Sequence, residues 1–431
     1  MTARKQIHLR QRARAIFDRA VKAADPSLAM RNRLAANPFP TPARGGRTIL
    51  IAIGKAAPAM LCEALQYVAG DHEAMAVTNY ENDMEVPGAT VIRAGHPVPD
   101  ENGLLAGRHI IGMLSSTTEN DQVITLISGG GSALAPAPVA GVSLQEKAQV
   151  NRLLLSSGTD IVRMNLVRQQ LSQLKGGGFL RLAAPASVTS YILSDVIGDD
   201  LRAVASGPTV SPIGTRAEAR QVCKEAGIWS RLPASIQTHL ECEEENKEAV
   251  REVRNHLIGS NRLSLEAACA EASRGFPARI VSDRLTGDVS DAAGAIARAA
   301  LTEKSASPVA LLFGGETTVQ IAGDGLGGRN QELALRIAML ADTFGTDREW
   351  VFLSGGTDGR DGPTEAAGGL ADAQTCARII ASDADPAAML LNNDSNAALA
   401  AAGDLLLTGA TGTNVADIQV FLWAAHCDTP T

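Results

Sequence analysis

Short, continuous apolar runs alternate with segments of helical pattern in the first half of the chain. Runs rich in β-branched residues cover 48–54, 74–79, 89–95, 123–128 and 187–195. A helical pattern over 160–174 ends just before three consecutive glycines, which is typical of a helix C-terminus. Apolar strands that alternate with helices predict a mostly parallel sheet covered on both faces, as in Rossmann-like α/β domains.

A looser, charge-dense segment separates this pattern from a second α/β pattern. We therefore predict an N-terminal domain over 1–245 and a C-terminal domain over 246–431. In the second half, the run over 309–323 predicts two strands joined by a very short turn. Such a hairpin is an antiparallel pair, so the second sheet is predicted to be mixed. The N-terminal segment has a helical apolar stripe around Phe17, and the domain on which it packs is left open.

The composition supports two globular domains and excludes several functional classes. The chain has 431 residues, 45% of them hydrophobic and 20% charged, so each half can form a core. A formal net charge of −8 disfavours nucleic acid and anionic membranes as partners. The absence of an 18-residue apolar run predicts no membrane span. Six cysteines without C-x-x-C spacing, and no signal peptide, predict free thiols in the cytoplasm. A homodimer is left open.

Three glycines in the second half have the G-x-G-x-x-G spacing of dinucleotide-binding loops: Gly323, Gly325 and Gly328. In a Rossmann unit the preceding strand is the first parallel strand, whereas here it is predicted to be the second arm of a hairpin. Arg329 and Asn330 begin the next helix, and their guanidinium and amide groups suit an anionic ligand at a helix N-terminus. The spacing alone is weak evidence, so we favour an anion other than a dinucleotide.

Polar residues follow several predicted strands at their carboxyl ends, where ligands bind in α/β sheets. Lys55 follows the first strand and suits a phosphate as a point charge, with a surface lysine as the alternative. Asp195 follows a later strand and suits Mg²⁺ or the proton of a hydroxyl group. Consecutive backbone N–H groups of a further turn can bind an anion, and that turn contains Gly129, Gly130, Gly131 and Ser132.

Two more carboxylates lie in glycine-rich segments of the second half. Glu316 is expected in the hairpin turn, and Asp358 in the loop after a strand. Both suit contacts with Mg²⁺ or substrate, and both also suit simple turns. His96 lies between a glycine and a proline, and we interpret it as structural.

Seven motifs, in this order, resemble the glycerate 2-kinase family over nearly the whole chain. They are AIGKAA (52–57), GHPVPDENG (95–103), ISGGGSAL (127–134), LSDVIGDDLRAVASGPT (193–209), GGETTV (314–319), GGRNQELAL (327–335) and GTDGRDGPTEAAGG (356–369). The resemblance implies two α/β domains with a ligand cleft between them. It implies that Lys55 and Arg329 are the basic residues of that cleft.

On this basis the sequence predicts ATP- and Mg²⁺-dependent phosphorylation of D-glycerate to 2-phosphoglycerate. Lys55 and Arg329 would neutralise the transferring phosphoryl group, and Asp195 would orient the glycerate hydroxyl or bind Mg²⁺. The glycine turn with Ser132 would bind phosphate. The expected substrate contacts are Glu316, Asn330 and Asp358.

Two other functions stay open at this stage. Some members of the family are named hydroxypyruvate reductase, so an NAD(P)H-dependent reductase is the first alternative. A non-catalytic sensor of a sugar-acid phosphate is the second. The phosphorylated carbon follows from the resemblance alone, and the substrate stereochemistry and nucleotide preference are left undecided.

Overall fold

The computed structural model describes residues 2–242, 253–303, 307–345 and 348–425, with side chains from residue 6 onward. Its contacts define two compact units. The amino-terminal unit contains residues 26–194 and 199–258, and the carboxy-terminal unit contains residues 1–25, 195–198 and 259–431. The predicted boundary at residue 245 lies outside the described residues. Residues 1–25, which the sequence-based division gave to the first domain, belong to the carboxy-terminal unit.

The helices and strands alternate along both halves of the chain. Up to residue 258 they are α1 (Thr2–Ala23), α2 (Pro26–Ala36), β1 (Thr48–Ile53), α3 (Ala57–Leu65), β2 (His72–Asn79), β3 (Thr90–Ala94), α4 (Glu101–Ser115), β4 (Gln122–Ile127), α5 (Gly131–Leu134), α6 (Leu144–Ser156), α7 (Ile161–Gln170), α8 (Gly178–Ala183), β5 (Ser187–Leu193), α9 (Arg216–Glu225), α10 (Ala234–Glu241) and, running on to residue 259, β6 (Arg254–Gly259). The remaining elements are α11 (Asn261–Ala272), β7 (Ala278–Asp288), α12 (Val289–Leu301), β8 (Val309–Thr318), α13 (Arg329–Met339), α14 (Ala341–Phe344), β9 (Trp350–Gly356), β10 (Gly368–Asp372), α15 (Thr375–Ile380), α16 (Pro386–Leu391), α17 (Ser395–Ala402), β11 (Leu405–Leu406) and β12 (Asp417–Trp423).

The amino-terminal sheet has the strand order β3-β2-β1-β4-β5-β6, which is the order of a Rossmann sheet. Strand β1 pairs in parallel with β2 and β4, and β4 pairs in parallel with β5. Both β1 and β4 are buried along their whole length because helices cover both faces. The predicted parallel α/β sheet is therefore confirmed.

Helices α6 and α7 pack in a second core of the same unit, around Leu154 and Val167. Each begins at a residue that binds the free backbone N–H groups of the first turn. Ser143 and Glu146 form a capping box at the start of α6, and Asp160 accepts hydrogen bonds from the first turn of α7.

The carboxy-terminal sheet has the order β11-β10-β9-β12-β8-β7 and is mixed, as predicted. The strand pairs that make it mixed differ from the predicted ones. The proposed hairpin over 309–323 is wrong, because β8 continues straight through Gly314 and Gly315 to Thr318. Strand β8 is parallel to β7, and the antiparallel pairs are β12 with β8 and with β9, and β10 with β9 and with β11.

Gly314 and Gly315 mark a close approach of neighbouring elements. A Cβ atom on Gly315, whose φ is +153°, would lie 2.2 Å from the Leu285 carbonyl oxygen of β7. A Cβ on Gly314 would lie 2.1 Å from Oδ1 of Asn261. Glycine in a strand often indicates such contact, and here it was mistaken for a turn.

Helix α1 packs on the carboxy-terminal sheet, which answers the question that the sequence left open. Phe17 is fully buried in the core formed with β9 and β12. Two turns before Phe17 on the same side of the helix, Arg10 forms ion pairs with Asp372 and Asp404 at 2.5 and 2.6 Å. Among the described residues, no helix combines the length and the apolarity needed to cross a membrane.

Candidate functional site

The first candidate site lies at the carboxyl edge of the parallel sheet in the amino-terminal unit. Ile53 of β1 is paired with Ile127 of β4, so Lys55 and Gly129 lie equally far beyond their strands. The Lys55 backbone N–H donates to the Gly129 carbonyl oxygen at 2.9 Å. The Lys55 side chain is exposed, and no described carboxylate forms an ion pair with it. The structure thus brings Lys55 and the glycine turn together.

The glycine turn borders two basic side chains. Gly130 has a φ of +84°, and a Cβ atom there would lie 3.2 Å from Cγ of Lys55 and 3.2 Å from Cδ2 of His96. Any side chain at this position would also be strained, because L-residues disfavour this region of φ. Glycine therefore keeps the space beside Lys55 and His96 open.

His96 belongs to this site, although the sequence analysis interpreted it as structural. Its burial and the nearby Lys55 ammonium lower the pKa of the imidazole, while the carboxylate of Glu81 opposes that shift. The imidazole is therefore expected to be neutral at physiological pH. The glycine and proline beside His96 indicate a turn. They do not show that the imidazole ring lies next to Gly130 and Lys55.

Ser132 lies at the far end of the glycine turn and contacts two residues that the sequence analysis missed. Its hydroxyl is 2.9 Å from the Ser206 hydroxyl. Lys175 Nζ donates to Ser132 Oγ at 2.5 Å and to the Ser132 carbonyl oxygen at 2.9 Å. Ser206 and the preceding Ala205 have φ values of +61° and +48°. Such strained backbone is frequent at functional sites.

Asp195 follows β5 by two residues and is partly exposed. Among the described residues, no three His, Cys, Asp or Glu side chains converge in an arrangement that could hold a metal ion. Magnesium usually needs only one or two carboxylates together with substrate phosphates and water. A single carboxylate such as Asp195 therefore fits a Mg²⁺ ion that arrives with a nucleotide.

The second candidate site surrounds Arg329 at the start of α13, in the carboxy-terminal unit. Its Nε and Nη2 atoms donate to the two carboxylate oxygens of Asp417 at 2.6 and 3.0 Å. Its Nη1 atom lies 3.0 Å from Oε1 of Glu316. Asp417 is fully buried, whereas the side chain of Glu316 is 48% exposed. Arg329 is thus fixed from the core side by one carboxylate and paired at the surface with another.

A second buried carboxylate, Asp361, lies beside this ion pair. It accepts hydrogen bonds from the backbone N–H groups of Asn330 and Gln331 at 3.1 and 2.8 Å, and so caps α13. Burial raises the pKa of Asp361, and the nearby Asp417 adds to that rise. Burial also raises the pKa of Asp417, against the effect of Arg329.

The remaining predicted residues of this unit have different surroundings. Asn330 is 1% exposed, and its side chain bonds Ser354 at 2.5 Å and Asp361 at 3.4 Å. Asp358 is partly exposed and accepts a hydrogen bond from the Arg360 N–H at 3.0 Å, which forms a local turn. Asp417 was missed because an aspartate before an apolar strand is usually a simple turn residue.

The three spaced glycines form a loop that packs on the chain itself. Asn393 Oδ1 accepts from the N–H of Gly323 at 3.0 Å, and the Asn392 carbonyl oxygen accepts from the N–H of Gly325 at 3.0 Å. A Cβ on Gly323 would lie 2.4 Å from that carbonyl oxygen, and one on Gly328 would lie 2.3 Å from Cγ of Asp361. These N–H groups are occupied, so the loop does not offer the pyrophosphate cradle of a dinucleotide fold.

Comparisons with known proteins agree on one family. The family described as "Domain of unknown function (DUF4147)" matches residues 12–241, and the MOFRL family matches residues 309–417. Glycerate 2-kinase from Pyrococcus horikoshii is 39% identical, over 93% of this chain and 94% of its own length. D-glycerate 2-kinase from Thermotoga maritima is 39% identical, over 95% of both chains. A relative from Agrobacterium vitis, 37% identical over 96% of this chain and 95% of its own, is provisionally named a hydroxypyruvate reductase.

The fold agrees with the same set of proteins. The crystal structure of glycerate kinase from Thermotoga maritima superposes with a TM-score of 0.89 at 37% identity, covering 96% of this chain and 99% of that one.

Proposed function

Because the chain belongs to the glycerate 2-kinase family, we propose that it transfers the γ-phosphoryl group of ATP to the 2-hydroxyl group of D-glycerate. The observation that carries this proposal is the position of Lys55 beside the glycine turn at the carboxyl edge of the parallel sheet. Phosphoryl transfer requires positioning and charge neutralisation more than covalent chemistry. An exposed lysine beside an open turn of backbone N–H groups suits both needs.

In this proposal Lys55 neutralises charge on the transferring phosphoryl group, while Gly129, Gly130, Gly131 and Ser132 bind phosphate oxygens. The neutral imidazole of His96 lies beside Lys55 and adds a hydrogen-bonding group without further charge. Asp195 binds Mg²⁺ or accepts a hydrogen bond from the glycerate hydroxyl. When bound, Mg²⁺ would neutralise charge on the nucleotide phosphates.

The role proposed for Arg329 depends on its two carboxylate partners. Asp417 uses one edge of the guanidinium and fixes its plane. Glu316 uses a further N–H group, so two of the five N–H groups are left for a ligand. A phosphoryl group that displaced Glu316 would gain a third. Glu316, which is exposed, and Asp358, which is partly exposed, are the carboxylates proposed to contact substrate. Asn330 acts through Asp361 as a positioning residue.

The first test is ³¹P NMR of the protein with Mg-ATP and D-glycerate. We expect a phosphomonoester signal that grows together with ADP, and its proton coupling identifies carbon 2. A folded protein that gives no such signal with D-glycerate would refute the proposal. Turnover also distinguishes the kinase from a sensor that only binds a sugar-acid phosphate.

Substitution of Lys55 and of Arg329 tests the two proposed basic residues one at a time. Lys55→Ala and Arg329→Lys should each lower kcat by about 10²–10³. Wild-type kcat in either variant would contradict the role proposed for that residue. Lys224→Ala, which removes an exposed lysine elsewhere in the amino-terminal unit, is the control and should leave kcat unchanged.

The reductase is the second candidate, favoured by the names of relatives from Agrobacterium vitis. It predicts oxidation of NADH or NADPH with hydroxypyruvate, which absorbance at 340 nm measures. The internal hydrogen bonds of the loop around Gly325 weigh against it. The cytoplasmic location and the homodimer stay predictions from the sequence.

A further inference from the structure

Three basic side chains gather in the amino-terminal unit, and one of them contacts Ser132 of the glycine turn. Lys147 lies on α6, Arg168 on α7, and Lys175 in the turn that follows α7. Arg168 donates a hydrogen bond to Asn151, which lies one helical turn after Lys147 on α6. The charges of Lys147 and Arg168 both disfavour the charged form of Lys175. A group of three positive charges inside a folded unit requires compensation.

The described partners of this cluster are all neutral. Arg168 Nε donates to Asn151 Oδ1 at 2.8 Å, and its Nη1 donates to Asn165 Oδ1 at 3.4 Å. Lys175 donates only to the hydroxyl and carbonyl oxygens of Ser132. No carboxylate in the described part of the chain forms an ion pair with any of the three. Among the described residues, no carboxylate therefore neutralises the cluster by direct contact.

Lys147 gives the clearest sign of a missing partner. Its Nζ atom is buried and has no hydrogen-bond partner among the described residues, although the residue as a whole is partly exposed. Lysine normally does the reverse, burying its methylene groups and keeping the ammonium in water. A buried ammonium without a partner is costly, and such groups in native structures usually have a bound partner.

The electrostatics agree with an uncompensated cluster. Burial, followed by repulsion from Arg168, lowers the pKa of Lys147 to about 8. Burial and repulsion from Lys147 and Arg168 lower the pKa of Lys175 well below its usual value. An anion bound among the three groups would reverse these effects and restore full charge to both lysines.

We propose that Lys147, Arg168 and Lys175 form a binding site for a phosphate group. Phosphate carries about two negative charges at neutral pH and offers several acceptor oxygens, so it balances three cations better than a carboxylate does. Ser132 is partly exposed and contacts Lys175, which brings one end of the site to the surface. The inference rests on the charges of this cluster and stands whether or not the chain is a kinase.

The test is isothermal titration calorimetry of the full chain with inorganic phosphate and with pyrophosphate. We expect wild-type protein to bind at least one of them, and Lys147→Met to bind it about tenfold more weakly or worse, because a charge-assisted contact is lost. Lys224→Met removes an exposed lysine of the same unit and should leave the affinity within about twofold. Acetate, a monoanion, should bind more weakly than either probe.

Unchanged affinity in Lys147→Met would overturn the proposal, as would wild-type protein that binds neither probe up to about 10 mM. If Lys147→Met does not fold, Lys147→Gln removes the charge and keeps a polar group. Displacement of the probe by ATP would identify a nucleotide as the natural source. Displacement by glycerol phosphate and not by ATP would identify a phosphomonoester. Both results support the site, and neither requires turnover, so a failed kinase assay leaves them interpretable.

Discussion

The substitution Asp417→Asn removes the negative charge that holds Arg329 from the core side. Asparagine has nearly the same shape and keeps one acceptor oxygen, so the packing at the start of β12 changes little. Of the two hydrogen bonds at 2.6 and 3.0 Å, one loses its charged acceptor and the other is lost. The effect therefore isolates the charge and the bidentate geometry of the pair.

The size of the effect follows from the unequal exposure of the two partners of Arg329. Removing one member of a buried ion pair costs about 3–5 kcal/mol, because a buried charge is left unpaired. Asp417 has no exposed surface, but the Arg329 side chain is 34% exposed and keeps Glu316. We therefore expect the lower end, about 3 kcal/mol of unfolding free energy. The kcat of the proposed reaction should fall by about tenfold to a hundredfold, because the guanidinium is no longer fixed.

Urea unfolding followed by tryptophan fluorescence measures this stability. Trp350 and Trp423 are buried in the core of the same unit, and Trp229→Phe removes the signal of the other unit. Glu316→Gln is the matched control, because it removes the exposed partner of the same guanidinium. Exposed pairs contribute about 0–1 kcal/mol, so this variant should stay near wild-type stability. If Glu316→Gln costs as much stability as Asp417→Asn, the argument from burial is refuted.

Two further predictions concern the carboxy-terminal unit. Gly323→Ala should lower its unfolding free energy in urea by about 2 kcal/mol, because the new Cβ would meet the Asn392 carbonyl oxygen at 2.4 Å; wild-type stability would contradict the observed packing of the loop. Burial alone would raise the pKa of Asp372, but Arg378 and Arg10 hold it below its usual value. This stabilisation is present above about pH 4 and is lost as the pH falls through the folded-state pKa. Asp372→Asn should thus lower Tm at pH 7 more than at pH 3, and equal losses would argue against the ion pairs.

The strands of the parallel sheet could be predicted because burial on both faces imposes a simple pattern. The runs at 48–54 and 123–128 contain little besides apolar residues, and β1 and β4 are buried from end to end. The same pattern placed Lys55 and Gly129 at the carboxyl ends of two strands, and the structure brings them together because those strands, β1 and β4, are neighbours. This inference needs only local information and the geometry of parallel strands.

The mixed sheet was predicted correctly for the wrong reason. Gly314 and Gly315 were interpreted as a turn, whereas they allow Asn261 and the backbone of Leu285 to approach β8. Turns and close approaches both require glycine, so the local sequence does not separate them. The partner that decides between them, Leu285, is about 30 residues away and lies on β7.

The site could be predicted only where one residue is sufficient to indicate chemistry. Arg329 has a distinctive position at a helix start, but its main partner, Asp417, is 88 residues away in the sequence. The cluster of Lys147, Arg168 and Lys175 gave no signal, because a lysine on an amphipathic helix normally faces water. The pairing of Arg329 with Asp417 and the burial of the Lys147 Nζ atom both depend on the tertiary fold. The local sequence therefore does not indicate them.

The glycine-rich segments 323–328 and 129–131 differ in which atoms surround the positions where other residues would have a side chain. This difference bears on the choice between kinase and reductase. At Gly323 and Gly325, a new Cβ would lie 2.4 and 2.6 Å from the backbone carbonyl oxygen of Asn392, and other atoms of Asn392 and Asp394 lie within 2.8 Å. At Gly130 they are the side chains of Lys55 and His96, at 3.2 Å. The first loop contains glycines because other parts of the chain occupy the space that their side chains would need. The second leaves room beside a cation, as a phosphate site requires. The spacing of a dinucleotide motif therefore occurs where this chain packs on itself, and the phosphate chemistry is best supported at the other segment.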